Sequence, residues 1–192
     1  MLTENAARWL LVLHTALGVA AVGAVTHLVI WLRRYVRGQY GKRRAVQRFA
    51  LYALLLHIGA FVAGNIVYPT YRVEVRAAYL ENAGVIVADQ ETRARELDKI
   101  AAREGSPSRE LAPTNEVVKR AAKAARWFDV KEHWVALGML ASFALLLVLH
   151  FWDPKRDGTG LASIVIGLSV VIAATVWLGA IVGVLTSAWR AV

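Results

Sequence analysis

WLLVLHTALGVAAVGAVTHLVIWL, from Trp9 to Leu32, and FALYALLLHIGAFVAGNIVY, from Phe49 to Tyr68, are continuous apolar runs that each carry histidine among small residues. A helix needs about 20 apolar residues to cross a hydrocarbon core of about 30 Å, and both runs meet that length. Trp134 to Trp152 and Leu161 to Leu185 are two more of the same kind. None alternates with a period of two, which excludes barrel strands and leaves helices as the spanning element. The expected fold is therefore all-α, an integral membrane four-helix bundle. Residues 1–69 would form a first transmembrane hairpin, 70–126 a partly helical extramembrane segment, and 127–192 a second hairpin.

Composition supports this. The 192 residues are 57% hydrophobic, too apolar for an ordinary soluble domain. Val22 and Ala24 would suit a small-residue cleavage site, but the apolar run continues past them and the segment before it lacks a strong positive charge, so the first run is read as a span. With no cysteine, disulfides, thiolate metal sites, iron–sulfur clusters and thioether-linked haem are excluded. Two methionines are too few for a methionine-rich copper path.

The net charge of +9 is unevenly placed. Arg33, Arg34, Arg37, Lys42, Arg43, Arg44 and Arg48 crowd the first short loop with no acid among them. The positive-inside rule makes that loop cytoplasmic and puts both termini and the long second loop outside, in a bacterial-type periplasm. Lys155 and Arg156 in the third loop agree, whereas Lys119, Arg120, Lys123 and Arg126, with Arg8, Arg72, Arg76 and Arg190, lie towards the opposite side. The expected partners are the lipid bilayer and other membrane or periplasmic subunits, not nucleic acid.

Ionisable groups inside a bilayer are costly and mark candidate sites. On the first span Ala16, Ala20, Gly23 and His27 share helical spacing, as do Ala53, His57, Ala60 and Gly64 on the second. Counted from the cytoplasmic ends, His27 and His57 differ in depth by about 5 Å, so they are expected to share a layer. His14 lies roughly 140° around the axis from His27 and points elsewhere. His133 opens the third span, and with His14 it is the candidate for a second, outer layer. His150 at the inner end reads as a headgroup-level residue.

The segment from Thr70 to Arg126 is polar and nearly charge-balanced. Val73 to Glu104 favours helix, with Leu97, Ile100 and Ala101 as its apolar face and Gly84 to Val87 weakening its centre. Gly105-Ser106-Pro107-Ser108 breaks it, and Thr114 is placed to cap a helix running towards the third span. Tyr68 to Arg76 and Trp127 to Trp134 crowd aromatic and charged groups at one surface. Interfacial anchoring with local ion pairs explains that crowding, as does an outer-face site. Asp129 and His133, four residues apart and beside Glu132, form the alternative metal site. In the fourth span Gly167, Val171, Thr175, Gly179, Gly183 and Ser187 make a small-residue packing row.

On His27, His57, His14 and His133 the four spans resemble the four-helix membrane b-type cytochromes. The resemblance implies haem b held by imidazoles, His27 with His57 first, and electron exchange with quinone or a partner protein. The spacing of His14 and His27 departs from that family's pattern, and the long outer segment has no counterpart in it. The first expectation is thus a haem b electron-transfer subunit, and the second a cofactor-free accessory or assembly subunit of a larger membrane complex.

Overall fold

The structure, a computed structural model, describes residues 2–188; Arg190 lies outside the described residues. Helix α1 spans Glu4–Val36, begun by the Thr3 hydroxyl accepting the Ala6 N–H at 3.4 Å. Arg33 and Arg34 sit in its last turn, where cations suit the helix dipole, and Gly38 turns the chain with φ +110°. Helix α2 spans Arg43–Tyr71 and passes into a π-helical run over Arg72–Leu80. The shorter α3, Ala83–Glu104, is capped by Asn82 and closed by left-handed Gly105. Helix α4 runs unbroken over Thr114–Phe151, followed by the single turn α5, Pro154–Asp157, and by α6, Ala162–Ala188. Among the described residues there is no strand, and α1, α2, α4 and α6 are long and apolar enough to cross a membrane. The chain is an all-α, multi-pass membrane protein.

α1 packs on α2 and α6, and α4 packs on the same two, so the four close a ring in the order α1, α2, α4, α6. Their buried faces share one spacing: Ala21, Val25, Leu28, Leu32 and Tyr35 on α1, Val46, Ala50, Ala53 and His57 on α2. Gly138, Ser142, Leu145 and Leu149 continue it on α4, with Val165, Ser169, Ile172 and Val176 on α6. Alternating steps of three and four are the seam of helices packed knobs into holes. At the basic-loop end this interior is a continuous apolar cluster that includes Leu28, Leu145, Val165 and Ile172. The two loops there are tied together: Gln47 Nε2 donates to the Leu149 carbonyl at 2.8 Å, and Arg43 pairs with Asp153 at 3.7 Å.

Several expectations are corrected. Ala16, Ala20, Gly23 and His27 all lie on the exposed face of α1, because the buried seam runs one step round, through Ala21 and Val25. The second apolar run stops at Tyr68, before Pro69, but its helix does not. Pro69 removes one backbone donor, and the chain continues helically into the wider π turns that follow. A helical segment continues past residue 70, and the helix expected from Thr114 towards the third span runs into that span without a break. Thr114 is the first residue of α4 and not its cap, since Pro113 holds that position and no side chain caps it. On α3 the anchoring residues are Ile86 and Ala101, while Ile100 is exposed. In the α6 row, Thr175, Gly179 and Gly183 meet α4, but Gly167 has nothing near it and Val171 is exposed.

Candidate functional site: the polar half of the bundle interior

The other end of the interior, beneath the extramembrane arm, is built differently. His57 is 3% exposed, and among the described residues neither ring nitrogen has a hydrogen-bond partner. Gly138 makes the space. A Cβ there would overlap Thr175 Oγ1 and stand 2.8 Å from Thr175 Cβ and 3.0 Å from His57 Cε1. Glycine thus lets α2, α4 and α6 meet around the imidazole. The hydroxyls of this layer are spent locally, Ser142 donating to the Gly138 carbonyl and Thr175 to that of Ile172, each at 2.8 Å.

Two turns towards the arm, His14 lies between α1 and α2. Its Nδ1 is 2.8 Å from the Ala60 carbonyl, and a carbonyl only accepts, so Nδ1 carries the proton and Nε2 is the basic nitrogen of the neutral ring. Gly64 makes room: a Cβ on it would be 3.0 Å from His14 Cε1. Lys131 enters the same level from α4, its Nζ 3.4 Å from where a Gly183 Cβ would stand and 5.2 Å over the Phe128 ring. The bundle interior is therefore polar from Lys131 and His14 down to His57 and Thr175, and sealed below by the apolar cluster.

The remaining histidines stand apart from this column. His27 is exposed, with Nδ1 2.9 Å from the Gly23 carbonyl of its own helix and its ring stacked on Phe49 at 6.2 Å. His133 is likewise exposed and turned back on the Asp129 carbonyl at 2.8 Å, and His150 is exposed at the opposite end, edge-on to Phe151. So the structure brings neither His27 to His57 nor His133 to His14.

Over the column sits a cap in which the two aromatic-rich stretches meet. Tyr71 stacks on Phe128 at 4.1 Å, and Tyr68 lies 5.9 Å from the same ring. Arg76 donates through Nη1 to Asp129 at 2.6 Å and through Nε to Glu81 at 2.8 Å. The crowding was legible in the sequence; the pairing of Arg76 with Asp129 across 53 residues was not.

Comparison with known proteins finds no matching family, no matching curated protein and no matching solved structure.

Chemistry must therefore be read from the residues alone. A haem between two imidazoles needs two ring nitrogens facing one iron from opposite sides. His27 faces out of the bundle while His57 faces in, and His133 faces out while His14 faces α2, so neither expected pair fits the group as the residues stand. Nor does Asp129 with His133 form a metal site. Arg76 occupies the Asp129 carboxylate, and among the described residues no three His, Asp or Glu converge on one point. What the sequence reading missed was Gly138, whose signal was its place on the α4 seam; Gly64 and Gly183 were read as small-residue positions, without His14 and Lys131 as the side chains they face.

Proposed function

We propose that the chain is a cofactor-free accessory or assembly subunit of a larger membrane complex, anchored by its four spans and presenting α3 to a partner subunit. The carrying observation is the arm. Helix α3 has 22 residues, buries only Ile86 and Ala101, and contributes little to the bundle, yet its root is braced. Leu80, Ile86, Ala121 and Ala125 form a small core beneath it, and the Tyr79 hydroxyl donates to Asp89 at 3.0 Å. Fixing so polar a helix in one direction loses chain entropy that little burial offsets, which suits a preorganised surface. The acid-free basic loop supports a cytoplasmic position for that end of the bundle, and hence a periplasmic arm on a bacterial-type inner membrane. Replacing residues 83–112 with a short Gly/Ser linker should leave membrane insertion intact and lower the assembly's size on a native gel in mild detergent. An assembly of unchanged size refutes this reading.

A second reading keeps the membrane electron-transfer subunit, with haem b and quinone exchange. His57 favours it, being a buried imidazole with unpaired nitrogens beside a glycine. Haem would supply one-electron chemistry; of the four candidate histidines His57 is the one buried with both nitrogens unpaired, and none of its expected partners joins it. The two readings part on absorption of the purified, reduced protein. A Soret band lost in His57→Ala and kept in His27→Ala supports electron transfer, whereas a colourless folded protein supports the accessory subunit.

A further inference from the structure

At the basic-loop end, between the first turns of α2 and the last turns of α4, lies an open groove of about 470 Å³. Arg44, Gln47, Arg48 and Leu51 line one wall, at steps that keep them on one face of α2, and Leu146, Leu147 and His150 line the other. Its chemistry is graded along the bundle axis. Arg44 and His150 stand at the loop end, while Leu51 lies about 10 Å deeper along α2 and Leu147 about one turn deeper along α4. The floor is fixed, because Gln47 is bonded to the Leu149 carbonyl and Arg43 to that of His150, at 2.8 and 3.3 Å. Among the described residues no carboxylate lines the groove, and neither Arg44 nor Arg48 makes an ion pair; both side chains are exposed. The loop around them, from Arg33 to Arg48, contains no acidic residue to supply one.

We propose that this groove binds one anionic phospholipid, its phosphate held by Arg44 and Arg48 and its acyl chain laid on Leu51, Leu146 and Leu147. The fit is one of charge and of polarity gradient together. Guanidinium forks match phosphate oxygens, and their height on the spans is where a lipid phosphate lies. Basic clefts between membrane helices recognise anionic headgroups for this reason. The volume falls within the range of small-ligand sites, about 300–1,000 Å³. A bound lipid would also tie α2 to α4, adding to the bonds of Arg43 and Gln47 and to the apolar cluster between them.

The test uses the whole chain in nanodiscs of phosphatidylcholine with a minor share of phosphatidylglycerol, followed by native mass spectrometry of retained lipid. Phosphatidylglycerol should be retained above its bulk share. In Arg44→Gln/Arg48→Gln the enrichment should fall by about thirtyfold, as expected for two surface cations. Arg33→Gln/Arg37→Gln removes the same charge from the α1 side of the loop and should retain the lipid. Equal loss in both double variants would mean diffuse attraction and overturn the site. Leu147→Trp keeps every charge and fills the groove at an exposed position, so it tests the site even where the arginine variant fails to fold. Lipid retention in Leu147→Trp, or full displacement of lipid by inorganic phosphate, would equally overturn it.

Discussion

Gly138 is the residue on which the polar interior turns. Any side chain there collides with Thr175 and crowds His57, so Gly138→Ala should destabilise the protein by about 1–3 kcal/mol, measured by denaturation in detergent. Gly167→Ala, about two turns along α6 from Thr175 and with nothing within 4 Å of the added methyl, should be neutral or slightly stabilising. Equal effects at the two positions would remove the argument for a packed His57 layer. Arg76 is the corresponding residue of the cap. Its side chain is 21% exposed and bonded to two carboxylates, so its pairing with Asp129 is worth more than a freely solvated ion pair. A double-mutant cycle between Arg76→Met and Asp129→Asn should give a coupling of about 1 kcal/mol or more. Coupling near zero would reduce the cap to its aromatic stack.

At the scale of the element, the decisive feature is which face of α1 turns inward. His14, Ala21, Val25, Leu28 and Leu32 form the seam, and the small-residue stripe ending at His27 is its outer neighbour. Ala20→Leu should therefore be tolerated within about 0.5 kcal/mol, whereas Ala21→Leu should cost about 1–3 kcal/mol by overpacking. Thermal stability of the two variants checks the assignment, and the reverse order would restore the stripe to the interior. Pro69 teaches a related lesson. A proline marks a helix end when no tertiary contact holds the chain beyond it, but here Tyr71 and Phe128 stack and Arg76 binds Asp129 just past it. Those contacts keep the backbone helical in the wider π form.

At the scale of the whole molecule, the bundle has two unlike ends, one apolar and basic-looped, the other polar inside and covered by the arm. The absence of native cysteine makes its orientation directly measurable. In intact cells, Ser108→Cys in the loop after α3 should react with a membrane-impermeant maleimide, and Gln39→Cys in the basic loop should react only after lysis. The opposite pattern would invert the proposed topology and place the lipid groove in the outer leaflet.

The sequence by itself determined the number and type of spanning elements, because about 20 consecutive apolar residues have one stable solution in a bilayer. It also marked the extramembrane arm, through polarity and the Gly105 break, and the crowding of Tyr68 to Arg76 and Trp127 to Trp134 at one surface. Which histidine faces which helix was decided by tertiary structure alone. On a helix surrounded by lipid and by other apolar helices, hydropathy is nearly equal on all sides, so the direction of burial leaves no polar contrast to read. His27 and His14 were equally eligible by composition. Close packing of Gly64 on His14, and of Gly138 around His57, settles the choice, and steric fit of that kind exists only once the four helices are assembled.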